Sequence, residues 1–229
     1  MSFKQKKLKV AAVIFDLDGT LIDSIDIYFT IVENALKRLN LPAVSRNQIL
    51  AAAESEEFKW ELVLPQDVLD HKTEIIDEAW AVINEIAPQM FADNLELIQG
   101  AERIVENLSS SGLKIGLVTS TQRQYLETKM QPLKNAGVDT LFEAIITSDD
   151  VEKRKPAPDP LVTCAQQLDM KPGNCVYVGD TTTDIKAGKA AGMRTIGVLT
   201  GFDEYETLEK ESPDAIVESV RYLLEVIDV

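Results

Sequence analysis

The chain has 229 residues, 45% of them hydrophobic, and a formal net charge of −15 at pH 7. That length supports one sizeable core, or a core with a smaller insert. The acidic balance argues against nucleic acid and anionic membrane as main partners.

No apolar run approaches the roughly 20 residues of a membrane helix. The basic start, Met1 to Lys9, leads into an apolar strand ending in acids and has no small-residue cleavage site, so it reads as a solvated leader. Cys164 and Cys175 are too few for a disulfide framework or a zinc site. Both lie in apolar stretches and read as buried thiols of a cytoplasmic protein. The single histidine, His71, sits between Asp70 and Lys72 in a polar helical stretch and reads as a surface residue. Ser-His-Asp chemistry therefore has little support.

The first element is the run Val10 to Phe15, followed by Asp16-Leu17-Asp18-Gly19-Thr20. Its near-continuous apolarity predicts a strand covered on both faces, as in a parallel sheet, and Gly19 breaks it. If the chain stays extended, Asp16 and Asp18 project to one side, about 7 Å apart. Like charges that close need a cation, or one must stay protonated. Taken alone, Asp-x-Asp-Gly is also an ordinary turn.

Residues 23–96 carry almost no strand signal. Ile27 to Leu39 has helical spacing, stopped at Asn40-Leu41-Pro42. Ser45 can cap a short helix through Ala53, and Pro65 to Ala87 gives a long helical pattern. This predicts an all-helical insert that returns between Asp93 and Gly100. Residues 24–96 hold 14 acidic against 5 basic residues, a poor surface for gripping a strongly anionic group. A basic pocket would have to draw on Arg46, Lys59 or Arg123. Phe58 and Trp60 read as insert core, or as lining of a substrate pocket.

From residue 101 helix and strand alternate. Helices are predicted at Ala101 to Ser111, Gln122 to Ala136 with a kink at Pro132, Leu161 to Leu168, Thr183 to Ala191 and Val220 to Ile227. Strands are predicted at Leu113 to Thr119, Ala144 to Thr147, Cys175 to Val178, Thr195 to Leu199 and Ala215 to Val217. The alternation predicts an α/β fold with a doubly wound, Rossmann-like parallel sheet, whose ligands bind beyond the carboxyl ends of the strands. The core spans 1–22 and 97–229, and the insert 23–96.

Polar residues collect at four of those ends: Asp16 and Asp18; Thr119-Ser120-Thr121; Lys155-Pro156-Ala157-Pro158-Asp159; and Gly179-Asp180-Thr181-Thr182-Thr183-Asp184. Singly, Thr119 is an ordinary β-branched strand end, Lys155 a solvated lysine and Gly-Asp a common turn. Asp203 and Asp214 read as capping or turn residues. Four polar clusters at one edge of one sheet point to a site. A carboxylate nucleophile at a strand end can divide a difficult substitution into two steps, and Asp16 is the candidate. Asp18 can then serve as general acid and base.

In order and form these clusters resemble the four motifs of the haloacid dehalogenase-like superfamily, in particular its phosphoglycolate phosphatase-like branch. The resemblance covers the core and is weakest in the insert, which falls where that branch carries a mobile helical cap. It implies that Asp16 is the nucleophile, Asp18 the general acid/base, and Lys155 the residue that neutralises developing charge. Gly19, Thr119, Ser120 and Lys155 would bind the phosphoryl group. Mg²⁺ would be held by Asp16, the backbone carbonyl of Asp18, and Asp180, with Asp184 in support. The expected activity is a Mg²⁺-dependent phosphatase acting on a small phosphorylated metabolite, phosphoglycolate-like or a sugar phosphate, or on pyrophosphate. A phosphomutase of the sugar-phosphate type and a catalytically idle binding protein are the alternatives. Asp18 argues against a dehalogenase, which has no leaving alcohol to protonate.

Overall fold

The computed structural model describes residues 7–53, 58–66, 68 and 72–229. The chain enters on β1 (Leu8–Lys9), β2 (Ala12–Phe15) and β3 (Ile22–Asp23). It then forms α1 (Ile25–Arg38), α2 (Arg46–Ala53) and α3 (Lys72–Asn94). It returns on β4 (Glu96–Leu97), followed by α4 (Ala101–Ser110), β5 (Lys114–Val118), α5 (Arg123–Lys129), α6 (Gln131–Asn135) and β6 (Phe142–Ile146). The remainder is α7 (Asp159–Gln167), β7 (Cys175–Gly179), α8 (Thr182–Ala190), β8 (Arg194–Val198), α9 (Tyr205–Lys210), β9 (Ala215–Val217), α10 (Leu223–Val226) and β10 (Ile227–Asp228). Contacts divide the chain into two compact units, Ser24–Leu95 and the flanking chain up to Asp23 with Glu96–Val229.

The larger unit is built on a six-stranded sheet in the order β6-β5-β2-β7-β8-β9. All its pairings are parallel. Ala12, Val13, Ile14 and Phe15 of β2 are fully buried, as a central strand covered on both faces requires. From β2 the chain winds outward through β5 and β6. It then comes back to the other side of β2 with β7 and continues through β8 and β9. Such a reversal opens a crevice at the strands' carboxyl ends, and β2 ends there in Asp16. Ile14, Val118, Ile146, Leu161, Cys164, Leu168 and Tyr177 belong to one buried cluster. Cys164 and Cys175 are buried free thiols, and burial pushes them up to about 12 and about 11 respectively.

The helical unit has its own apolar clusters. Phe29, Val32 and Leu36 of α1 bury against Ile49 and Ala52 of α2, Trp60 and Ala79. A second cluster joins Ile27 and Ile31 to Ala87 and Phe91 of α3. Ser45 and Gln48 exchange hydrogen bonds at the start of α2, Ser45 N–H to Gln48 Oε1 at 3.0 Å and Gln48 N–H to Ser45 Oγ at 3.3 Å, a reciprocal cap. Trp60 is buried, with Phe58 and Trp80 packed edge-on against it at 4.8 and 5.6 Å. Met1 to Lys6, Asp70 and His71 lie outside the described residues. Among those described, no helix is long and apolar enough to cross a membrane.

Several boundaries differ from expectation. The long helix expected from Pro65 to Ala87 is described as helix from Lys72 and runs on through Pro88 to Asn94. The single helix expected over Gln122 to Ala136 is two, α5 and α6, because Pro132 has no N–H to continue the ladder and sits in the first turn of a new helix. The closing segment is not one helix. A 3₁₀ turn at Val220–Tyr222 leads into α10, and Ile227 then enters β10, which pairs in parallel with β1. The antiparallel pair β3–β4, through which the chain leaves and re-enters the core, was also not expected. Two-residue strands carry no readable period.

Candidate active site

Asp16 follows the last residue of β2, its backbone N–H donating to Val178 O at 2.8 Å. Asp16 is 6% exposed. Lys155, also buried, donates to Asp16 Oδ1 at 2.7 Å, to Asp184 Oδ1 at 2.7 Å and to the Tyr177 hydroxyl at 3.0 Å. Burial raises the Asp16 carboxyl, Lys155 draws it down, and the carboxylates of Asp184 and Asp18 push it up again; the net result is about 7. Burial opposes the Lys155 charge, but Asp16 and Asp184 more than compensate, so it stays an ammonium well above its usual range.

Asp184 is fixed by the start of α8. Its Oδ2 accepts from Thr181 Oγ1 at 2.6 Å and Thr181 N–H at 3.1 Å, while Asp184 N–H donates to Thr181 Oγ1 at 3.2 Å. This is a reciprocal capping box. Oδ1 is left facing Lys155 and accepts from Tyr177 at 3.1 Å. Asp180, at the end of β7, accepts from Phe202 N–H at 2.9 Å and from Thr20 Oγ1 at 3.4 Å. Burial, with Asp184 and Asp16 nearby, raises its carboxyl well above the ordinary range. Asp203 and Asp214 act as the turn and cap residues expected, accepting from Thr182 N–H at 2.6 Å and Thr195 N–H at 2.9 Å.

Asp16, Asp180 and Asp184 each offer a carboxylate oxygen, and these oxygens lie within 4.8 Å of one another. Their hydrogen bonds include one ammonium, so negative charge is in excess in a buried space. Hard, all-oxygen donors crowded this way suit a hard divalent cation.

Asp18 is held apart from that cluster. The strand stops at Phe15, so the two carboxylates do not project in parallel from one extended segment. Each has its own lysine. Lys129 Nζ lies 2.8 Å from both Asp18 oxygens, and Thr121 Oγ1 donates to Asp18 Oδ2 at 2.9 Å. The Asp18 carboxylate is therefore not a member of the three-oxygen group. Gly19 lies between the two arrangements with φ +72°. A Cβ there would come within 2.6 Å of Asp180 Oδ2 and 2.8 Å of Gly201 Cα, so the loop needs glycine for both conformation and space.

Thr119 ends the neighbouring strand. Its N–H donates to Ile146 O at 2.9 Å, and its Oγ1 accepts from Thr121 N–H at 3.0 Å. Thr119, Ser120, Thr147, Ser148, Arg154 and Lys155 share the lining of a small pocket. Ser148 Oγ is buried there without a hydrogen-bond partner. Two of the basic candidates, Arg46 and Arg123, are committed. Arg46 pairs with Asp26 and lies over the Phe29 ring, and Arg123 pairs with Asp150. Burial works against the Asp150 charge, but Arg123 and Thr147 hold it at about 2.

The expected residues Asp16, Lys155, Asp180 and Asp184 thus meet in one cluster, and Thr119 and Ser120 line the pocket that Lys155 enters. Lys129 and Tyr177 are not singled out from the sequence, and Thr121 is named there only as part of the Thr119-Ser120-Thr121 cluster, with no role. Lys129 lies three residues after Leu126 and four after Tyr125, on the inward stripe of α5, and a lysine on such a stripe was the available signal.

The sequence matches the haloacid dehalogenase-like hydrolase family over residues 13–198. It is 28% identical to the phosphoglycolate phosphatase of Shigella boydii, covering 94% of this chain and 91% of that protein. It is also 28% identical to the pyrophosphatase PpaX of Bacillus pumilus, covering 95% and 96%. A solved haloacid dehalogenase-family hydrolase of Deinococcus radiodurans, with bound phosphate and sodium, superposes with a TM-score of 0.74 at 26% identity over 94% of this chain and 93% of that one. The chain belongs to the haloacid dehalogenase-like hydrolase family and is a hydrolase of its phosphatase branch.

Proposed function

We propose that the chain hydrolyses a small phosphate monoester, phosphoglycolate-like or a sugar phosphate, or pyrophosphate, through an aspartyl-phosphate on Asp16. The observation that carries this reading is the buried Asp16 carboxylate at the end of β2, held by Lys155. In the first half-reaction an Asp16 oxygen bonds to phosphorus as the bond to the leaving oxygen breaks. That oxygen keeps the electron pair and takes a proton from Asp18. In the second, a water oxygen bonds to phosphorus, its proton goes to Asp18, and the electron pair returns to Asp16. Thr119 Oγ1 and Ser120 N–H donate to the phosphoryl oxygens, and Lys155 balances their charge. Gly19 lets the loop lie close to the phosphoryl group.

Asp16, Asp180, Asp184 and the Asp18 carbonyl are the groups that would hold Mg²⁺, which when bound supplies positive charge against the repulsion between carboxylates and phosphate. The orphaned Ser148 hydroxyl beside Lys155 fits a pocket that receives an anion. The helical unit serves as the cap that selects the leaving group. Its 13 acidic and 5 basic residues favour a weakly charged leaving group over a strongly anionic one. The partner is a small phosphorylated metabolite met in the cytoplasm.

Phosphate release from a phosphoester panel, with Mg²⁺ and with chelator, tests this reading. The expected result is Mg²⁺-dependent release, highest for a sugar phosphate or another weakly charged leaving group. Isomerised substrate without free phosphate would point to a mutase. No turnover alongside intact metal binding would point to an idle binding protein.

A stability measurement tests the metal site separately. In metal-free protein the Asp16 carboxyl titrates near 7 when folded, against an ordinary value of 3.8. Between those values the folded state binds more protons, so this group makes stability fall as pH rises through that window. A cation must displace those protons. Mg²⁺ is therefore expected to raise the unfolding midpoint more at pH 8 than at pH 5. Equal shifts at the two values would contradict the assignment.

A further inference from the structure

Lys129 ends α5 and is 2% exposed. Its ammonium reaches both Asp18 oxygens at 2.8 Å and Thr121 Oγ1 at 3.0 Å. Thr121 in turn donates from its hydroxyl to Asp18 and from its backbone N–H to Thr119 Oγ1. The result is a closed set of contacts that ties Asp18 to the end of the neighbouring strand. A buried ammonium is a poor device for stability alone, because an apolar side chain of similar size usually serves at least as well. What a doubly contacted carboxylate gains is orientation. Asp18 lies beyond the end of β2, in a turn whose backbone is tied by a single bridge to Ile22, which leaves its side chain to be oriented by other groups. A reacting group misplaced by about 1 Å can lose about a hundredfold in rate.

We infer that Lys129 is the positioning residue for Asp18: with Thr121, it holds the Asp18 carboxylate in the orientation from which it takes the proton of the water that releases phosphate from Asp16. This rests on the assignment of Asp18 in the preceding section. The step concerned is the second half-reaction. The water oxygen bonds to phosphorus, its proton passes to Asp18, and the bond between phosphorus and the Asp16 oxygen breaks with the electron pair returning to Asp16. Lys129 exchanges no proton in it.

An aryl phosphate such as p-nitrophenyl phosphate separates the two halves, because its phenolate leaves without a proton while the second half still needs Asp18. Rapid-quench kinetics on Lys129→Met, Thr121→Val and Asp18→Asn would follow the first release of p-nitrophenolate and the steady-state rate separately. In Lys129→Met the first release is expected to stay within about threefold of the unsubstituted protein, while the steady state falls about ten- to a hundredfold. Phosphate would then accumulate on Asp16. Thr121→Val is expected to show the same split, smaller. A merely structural lysine would lower both phases together. Parallel losses, or no loss, in Lys129→Met and Thr121→Val would overturn the inference. Asp18→Asn keeps the two levels apart. If it shows the split and the Lys129 and Thr121 variants do not, the positioning inference fails alone; if it shows none, the assignment of Asp18 fails with it.

Discussion

Replacing Asp16 by Asn is expected to lower turnover by about four to six orders of magnitude, the scale on which removal of a nucleophile acts. The substitution preserves shape, so the loss would be chemical. Asn has no charged oxygen with which to displace a leaving group, and neither the phosphoryl donors nor Lys155 replaces that step. Stability should move the other way. The Asp16 carboxyl is raised to about 7 because burial and the neighbouring acids penalise its charge. An amide removes that penalty, so metal-free Asp16→Asn protein should unfold at a higher midpoint at pH 8 than the unsubstituted protein. Groups held for function at the expense of stability behave in this way. Turnover and thermal unfolding measured on the same preparation check both halves. Retained turnover would remove Asp16 from the chemistry, and a lowered midpoint would contradict the account of its burial.

The second large effect is expected at Lys155. Its ammonium serves Asp16 and Asp184 together at 2.7 Å and also contacts Tyr177. Lys155→Met would leave the Asp16 and Asp184 carboxylates without that countercharge. Deleting one member of a buried ion pair costs about 3–5 kcal/mol. Deleting a charge that faces a transferring phosphoryl group costs about 10²- to 10³-fold in rate. Both losses are expected together, read by denaturant unfolding and by kcat. Added Mg²⁺ should recover part of the stability, since it supplies positive charge to the same carboxylates, and little of the rate. Unchanged stability would mean that Lys155 is not the main countercharge in the cluster.

The parts of this site legible in the sequence are those whose chemistry stands against its surroundings. An apolar run that stops in two acids, a Thr-Ser-Thr at the next strand's end and a Gly-Asp after Cys175–Val178 are each visible because a strand end is a sharp change in polarity. The parallel order follows from the alternation of helix and strand, and the buried residues of β2 match it. The countercharge of Asp18 was harder to see. A lysine in the last turn of a helix ordinarily reads as solvated and as favourable to the helix dipole. Only the fold turns that part of α5 inward and brings Lys129 to a residue 111 positions away. Tyr177 is similar, being one more aromatic residue within an apolar strand until Lys155 and Asp184 arrive beside its hydroxyl. Thr181-x-x-Asp184 could have been recognised as a helix-start pattern. The second demand on Asp184, facing Lys155, depends on the sheet. The short pairs β1–β10 and β3–β4 escaped because pairing, not local preference, forms them.

The central claim is that phosphate passes through Asp16. The most direct measurement is acid quenching during turnover of a phosphorus-labelled aryl phosphate, whose leaving group needs no proton from Asp18, followed by mapping of the labelled peptide. The account predicts label on the peptide carrying Asp16, increased in Asp18→Asn and absent in Asp16→Asn. Turnover without label on any carboxylate, or label on another residue, would contradict it.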